Sequence, residues 1–209
     1  MGNPPDAAAT AELVALICSR LCHDLAGAIG AVNNGVELLA EETDAGMREE
    51  AIGLIAQSAQ DAARRLAFFR LALGASGSLQ ESMNLLELAR VAQAYFAGGK
   101  LVLKLPQQDA DIPKALGKAL LLGLSLAGSA LPRGGTLALS PEGKGWSIRG
   151  EGAVLRWSEA AAAGVDPADQ DLHEPQAAIA RYMLMLTTAA GFSLHATPGE
   201  TQILLSFTA

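Results

Sequence analysis

Two long apolar stripes at helical spacing constrain this fold more than any other feature of the chain. Val14, Ile17, Leu21, Leu25, Ala28, Val32, Val36 and Leu39 recur at steps of three and four. After a turn-like break, EETDAG at 41–46, the pattern resumes through Ile52, Ile55, Ala59, Ala62, Leu66, Phe69 and Leu73. Such steps keep apolar side chains on one helix face. The spacing predicts two helices of similar length, joined by a short loop into an antiparallel hairpin. Asp6, after Pro4 and Pro5, is a plausible N-cap for the first. A hairpin alone leaves much of its apolar stripe in water. Pairing with a second copy as a four-helix bundle would cover it, so the pattern predicts a homodimer. The run Gly74-Ala-Ser-Gly-Ser78 ends the second helix as a flexible joint, which sets domains at 1–77 and 78–209.

The second part mixes periods. A helix is expected over roughly 82–97, ending at Gly98-Gly99, and KLVLKL at 100–105 alternates as a strand. Pro113 opens an apolar helix to about Ala130. TLALS (136–140) and WSIRG (146–150) follow as strands, and AVLRW (153–157) reads as another strand or a continuation. A helix over roughly Pro175–Ala190 precedes a hairpin of FSLHA and TQILLSF around Pro198-Gly199. The expected class is α + α/β, with a helical hairpin followed by a two-layer α/β sandwich. The run Ala115–Leu131 is short for a membrane span and is interrupted by Lys118 and two serines, which favours a buried helix. The N-terminus lacks a basic region followed by an apolar one, so no signal peptide is expected. A net charge of −7 without a basic cluster argues against nucleic acid or an anionic membrane as partner. Two cysteines make no disulfide framework, and the setting expected is cytoplasmic.

Within the first stripe lies CSRLCHDLAGAIGAVNNGVELL, from Cys18 to Leu39. Its glycines and asparagines sacrifice helix propensity, each interior glycine by about 1 kcal/mol relative to alanine. At about 100° per residue, His23 lies about 200° from Leu21 and from Leu25, and so faces solvent. Ser19, Arg20, Ala26, Gly27 and Gly30 surround it, with Asn34 further along the stripe. Small residues there leave the imidazole standing above a low surface that another protein's backbone can approach. Asp24 can fix the ring's tautomer, and Arg20 can neutralise a phosphoryl group on it. Against this, a single surface histidine usually does nothing, and the glycines could serve close helix packing, although Gly27 and Gly30 fall off the seam. Cys18, Cys22 and His23 do not converge on one ion, so no metal is expected and the thiols read as packed.

The run SRLCHDLAGAIGAVNNGVELL resembles the signature of the ChpT-type histidine phosphotransferases of alphaproteobacteria, H-D-L-x-x-P-x-x-A-x-x-N-G-x-E-L-L. It is carried by His23, Asp24, Leu25, Ala31, Asn34, Gly35, Glu37, Leu38 and Leu39, with Ala28 in place of the proline. The resemblance implies a dimeric helical hairpin followed by a degenerate domain like the ATP-binding domain of a sensor histidine kinase. It implies that a receiver-domain aspartyl phosphate donates to His23 and a second receiver aspartate accepts. The partners would be receiver domains of a hybrid histidine kinase and of response regulators, a cell-cycle transcriptional regulator among them. A kinase of this kind needs an asparagine on its first buried helix and an Asp-x-Gly-x-Gly element. Here the helix KALLLGLSLAGSAL has no asparagine, and Ile148 stands where the aspartate should be. No ATP or other cofactor is therefore expected. The alternatives are an active sensor kinase or phosphatase, or a non-catalytic dimeric scaffold that binds receivers. In a phosphatase a Thr or Asn would stand where this chain has Gly27.

Overall fold

The structure, a computed structural model, describes residues 7–75, 77–169 and 172–209; the expected N-cap Asp6 lies outside them. Helix α1 runs without interruption over Ala7–Glu41 and α2 over Ala45–Leu73. The connection is tight because Asp44 caps α2, its carboxylate accepting from the Met47 amide at 3.0 Å. Arg48 donates to the carbonyls of Leu39 and Glu42 at 2.7 and 2.8 Å, which fastens the end of α1 to the start of α2. Gly35 allows the two helices to approach: a Cβ there would sit 2.6 Å from Ile55 Cγ1.

The remaining elements are β1 (Ser82–Asn84), α3 (Leu85–Tyr95), β2 (Leu101–Lys104), β3 (Asp111–Pro113), α4 (Lys114–Ser129), β4 (Gly135–Glu142), β5 (Gly145–Glu151), α5 (Glu159–Val165), α6 (Pro175–Ala189), β6 (Ser193–Pro198) and β7 (Gln202–Thr208). Five strands form a sheet in the order β2-β4-β5-β7-β6, parallel only between β2 and β4. One face carries Leu137, Leu139, Ile148, Ile203, Leu205 and Phe207, all buried beneath the helices. This is the two-layer sandwich expected from the alternation of the strands. Helix α4 is buried along nearly its whole length, so the apolar run at 115–131 serves the core. Among the described residues, α1 is the one helix long and apolar enough to cross a membrane by length and composition.

Two local expectations are corrected, and one helix is added. Residues 82–84 form a strand paired antiparallel with β3, and α3 starts only after Asn84, whose side chain accepts from the Leu86 and Glu87 amides. AVLRW is not a strand: it crosses the end of α4, where the Arg156 amide donates to the Ala130 carbonyl at 2.8 Å and Leu155 and Trp157 pack on the core. Helix α5 was not expected from its alanine run; Ser158 caps it by accepting from the Ala161 amide.

The described residues around the joint at 74–78 make contacts with the following domain. Phe68, Phe69 and Ala72 of α2 are buried in the same core as α3 and α4. The Lys118 ammonium, 2% exposed, donates to the Gly74 carbonyl, and burial pushes its pKa down from 10.5, with Lys114 adding to the effect. Lys114 pairs with Glu81 at 2.9 Å. Gly74 at the start of the joint and Glu81 just beyond it are thus both tied to α4. Ile17 and Leu21 of α1 pack against the same core.

Candidate functional site

His23 sits mid-way along α1 with its side chain 83% exposed. The outward placement expected from periodicity is what the structure shows. Its Nδ1 lies 3.2 Å from Asp24 Oδ1, and the other carboxylate oxygen accepts from Arg20 Nε at 2.9 Å. An ionised carboxylate only accepts hydrogen bonds, so in the neutral ring this contact favours the tautomer with its proton on Nδ1. Nε2 is then left with its lone pair, the form required of a nucleophile. The Asp24 side chain is 7% exposed, which fixes the carboxylate and, through it, the ring.

The setting of the other expected residues varies. Ser19, Ala26, Gly27 and Asn34 are exposed and Gly30 partly so, and a Cβ added to Gly27 or Gly30 would meet nothing within 4 Å. Gly27 borders a groove of about 380 Å³ beside the imidazole, with His23, Asp24, Ala28 and Ala31 on one wall and Ser58, Asp61 and Arg65 of α2 on the other. Arg20 does not stand free beside the ring, as the sequence suggested. Its guanidinium is held by Asp24, and it lines a narrow crevice with Phe69, Leu122 and Ile179. Cys18 and Cys22 are likewise not packed: both are free and exposed in the single chain. At about 100° per residue they share a stripe with Val14, Ile29 and Val36, turned away from His23. Those three apolar side chains are each half or more exposed. Among the described residues, no group of three or more His, Cys, Asp or Glu side chains is placed to hold a metal.

The α2 wall of the groove is the part sequence reasoning missed. Ser58, Asp61 and Arg65 recur at steps of three and four, a polar stripe in an alanine-rich helix. The hairpin register, with its short loop, brings that stripe opposite His23. Asp61 is engaged by Arg64 and by Gln57 Nε2, the latter at 3.2 Å. Arg65 leans on the Tyr95 ring, 5.9 Å from its centroid, and borders both this groove and an adjoining cleft of about 650 Å³.

Residues 85–202 match the family described as the histidine phosphotransferase C-terminal domain. The protein phosphotransferase ChpT of Brucella abortus is 37% identical over 198 residues, 89% of this chain and 91% of that protein. This chain belongs to the ChpT-type histidine phosphotransferase family. A solved bacterial phosphotransferase has the same fold along the chain, with a TM-score of 0.82, 32% identity and 98% coverage of both chains. The histidine kinase domain of a blue-light activated kinase from Erythrobacter litoralis gives a TM-score of 0.45 at 16% identity, over 86% of this chain and 92% of that one. The chain is therefore a histidine phosphotransferase, and a phosphorelay is implied.

Proposed function

We propose that His23 is the phosphoacceptor and that the protein relays a phosphoryl group between receiver-domain aspartates. The observation that carries this reading is an exposed imidazole whose Nδ1 lies 3.2 Å from a largely buried carboxylate, leaving Nε2 turned to the partner side. In the first step the Nε2 lone pair forms a P–N bond while the bond from phosphorus to the donor aspartyl oxygen breaks. The electrons of that bond stay on the released carboxylate. The Nδ1 proton remains in its bond to Asp24, whose carboxylate stabilises the cationic ring. The reverse chemistry delivers the group to a second aspartate. The donor in this reading is the receiver of a hybrid histidine kinase, the acceptor a response regulator, and the compartment the cytoplasm. Ser19, Ala26, Gly27, Gly30 and Asn34 provide the low surface a receiver docks on.

Two further features support transfer from a protein over transfer from ATP. Ile148 is fully buried, and its Cδ1 lies within 2.8 Å of where a Cβ on Gly123 of α4 would be. The position that the family comparison gives to an adenine-reading aspartate is thus filled by apolar packing. Between α4 and α6, Gln176 donates to Ser129 Oγ and accepts from Ser158 Oγ, each at 3.1 Å, which ties the two helices together.

The exposed stripe of Val14, Ile29 and Val36, with Ile52 and Leu66 of α2, supports a homodimer through the hairpin. It faces away from the imidazole, so pairing there leaves His23 accessible. The test of the reading is phosphate incorporation from a phosphorylated receiver into wild type and His23→Gln. Wild type should take up acid-labile phosphate and the variant none, with unchanged melting. Label in His23→Gln, or in wild type from ATP alone, would overturn it.

A further inference from the structure

Resting on that reading, we propose that Arg65 of α2 is a catalytic cation that binds the phosphoryl oxygens while the group is carried on His23. The charges around the groove single it out. Asp24 is neutralised by Arg20, and Asp61 by Arg64. Arg65 borders the same groove, and among the described residues no carboxylate pairs with it. With the two acid–base pairs cancelled, the groove beside the imidazole carries one uncompensated positive charge. A phosphoryl group in transfer spreads negative charge over three oxygens, and a fixed planar guanidinium is well matched to two of them.

The guanidinium also lies over the Tyr95 ring, 5.9 Å from its centroid. The Tyr95 ring beneath it stacks on Phe68 at 4.0 Å between centroids and meets Phe69 and Phe96 edge-on. Phe68 and Phe69 are buried in the core. The α/β domain thereby orients a residue of the hairpin, although no residue of that domain borders the groove itself. Tyr95 is a positioning residue in this scheme. Arg65 stabilises the charge of the group as the bond to the donor oxygen breaks and the bond to Nε2 forms, and takes no proton.

The experiment measures single-turnover transfer from a receiver domain phosphorylated with acetyl phosphate, over a range of receiver concentrations, to wild type, Arg65→Gln and Arg65→Lys. Arg65→Gln should lower the maximal rate by roughly a hundredfold, the scale of one lost charge-stabilising donor. Arg65→Lys should recover much of that rate. A glutamine variant with an unchanged maximal rate and a raised half-saturating concentration would make Arg65 a docking residue and overturn the proposal. An uncharged variant as fast as wild type at every concentration would do the same. A second measurement needs no variant. The phosphorus resonance of phosphorylated wild type should titrate at lower pH than that of free phosphohistidine, because the guanidinium favours the dianion. Coincident titrations would overturn the proposal. Should wild type take no label at all, the relay reading fails first, and the two failures are told apart.

Discussion

Substituting Gly27 separates the stability of α1 from access to its histidine. The residue is exposed in the interior of the helix, and an added Cβ would meet no atom within 4 Å. Alanine is favoured over glycine there by about 1 kcal/mol, with no contact to oppose it. For a chain of 209 residues, that moves the melting midpoint up by roughly 2–4 °C. Gly35→Ala is the internal contrast. Its Cβ would fall 2.6 Å from Ile55 Cγ1, so the same propensity gain meets an overpacking cost of roughly 1–3 kcal/mol. The net result should be no gain, or a loss of up to about 2 kcal/mol. Gly27→Leu should melt close to wild type, yet its side chain would occupy the rim of the groove beside the ring. Transfer should fall by at least about tenfold, a barrier increase near 1.4 kcal/mol. Thermal melts and rapid-quench transfer assays on the same preparations check both halves. Wild-type transfer by Gly27→Leu would refute the access argument. A lower melting point for Gly27→Ala would show that Gly27 serves packing.

Two further predictions follow from the joint and from the exposed stripe. The Lys114 ammonium and the Ser78 amide hold the Glu81 carboxyl below its ordinary 4.5. With the folded value depressed, its contribution to stability is complete above pH 4.5 and is lost as the pH falls through that lower value. Glu81→Gln should therefore melt lower than wild type at neutral pH and lose less on acidification; parallel acid limbs would exclude this role. Ile29→Glu should turn a dimer into monomers in light scattering, since burying an unpaired carboxylate in an apolar interface costs at least about 1–3 kcal/mol. Cys18 and Cys22 should then react faster with a thiol reagent, and a wild-type protein that is already monomeric with fully reactive thiols would exclude the hairpin dimer.

Much of this architecture is legible locally. Both long helices follow from their stripes, and the loop between them follows from Asp44, whose capping role depends only on its near neighbours. The strands β1 and β3 are not legible, because each is three residues long and its partner is distant in sequence. AVLRW misleads because alternation records burial, and a coil that packs Leu155 and Trp157 on the core alternates as well as a strand does. Around the glycine–serine joint the composition gives no sign of the contacts made by Gly74 with Lys118 and by Glu81 with Lys114, because both lysines come from another element. His23 stands out in the sequence because its surroundings give up helix propensity for no local reason. Arg65 does not, because periodicity fixes which residues share a face but not how two faces are turned toward each other.

The burial of Phe68 and Phe69 has a consequence for how signal direction can be controlled. A kinase that phosphorylates its own histidine must carry a nucleotide-bearing domain to that side chain and withdraw it again, and this cycle gives a sensor something to regulate. Here the end of α2 is part of the core of the following domain, and Lys118 grips the backbone where a hinge would be. In this packed arrangement the imidazole is already exposed, with no domain movement needed to uncover it. Under the proposed relay, flow through His23 is then set by mass action among the receivers that collide with it. Phosphoryl groups move toward whichever aspartate pool is emptier, and reversing the flow requires a change in the partners alone.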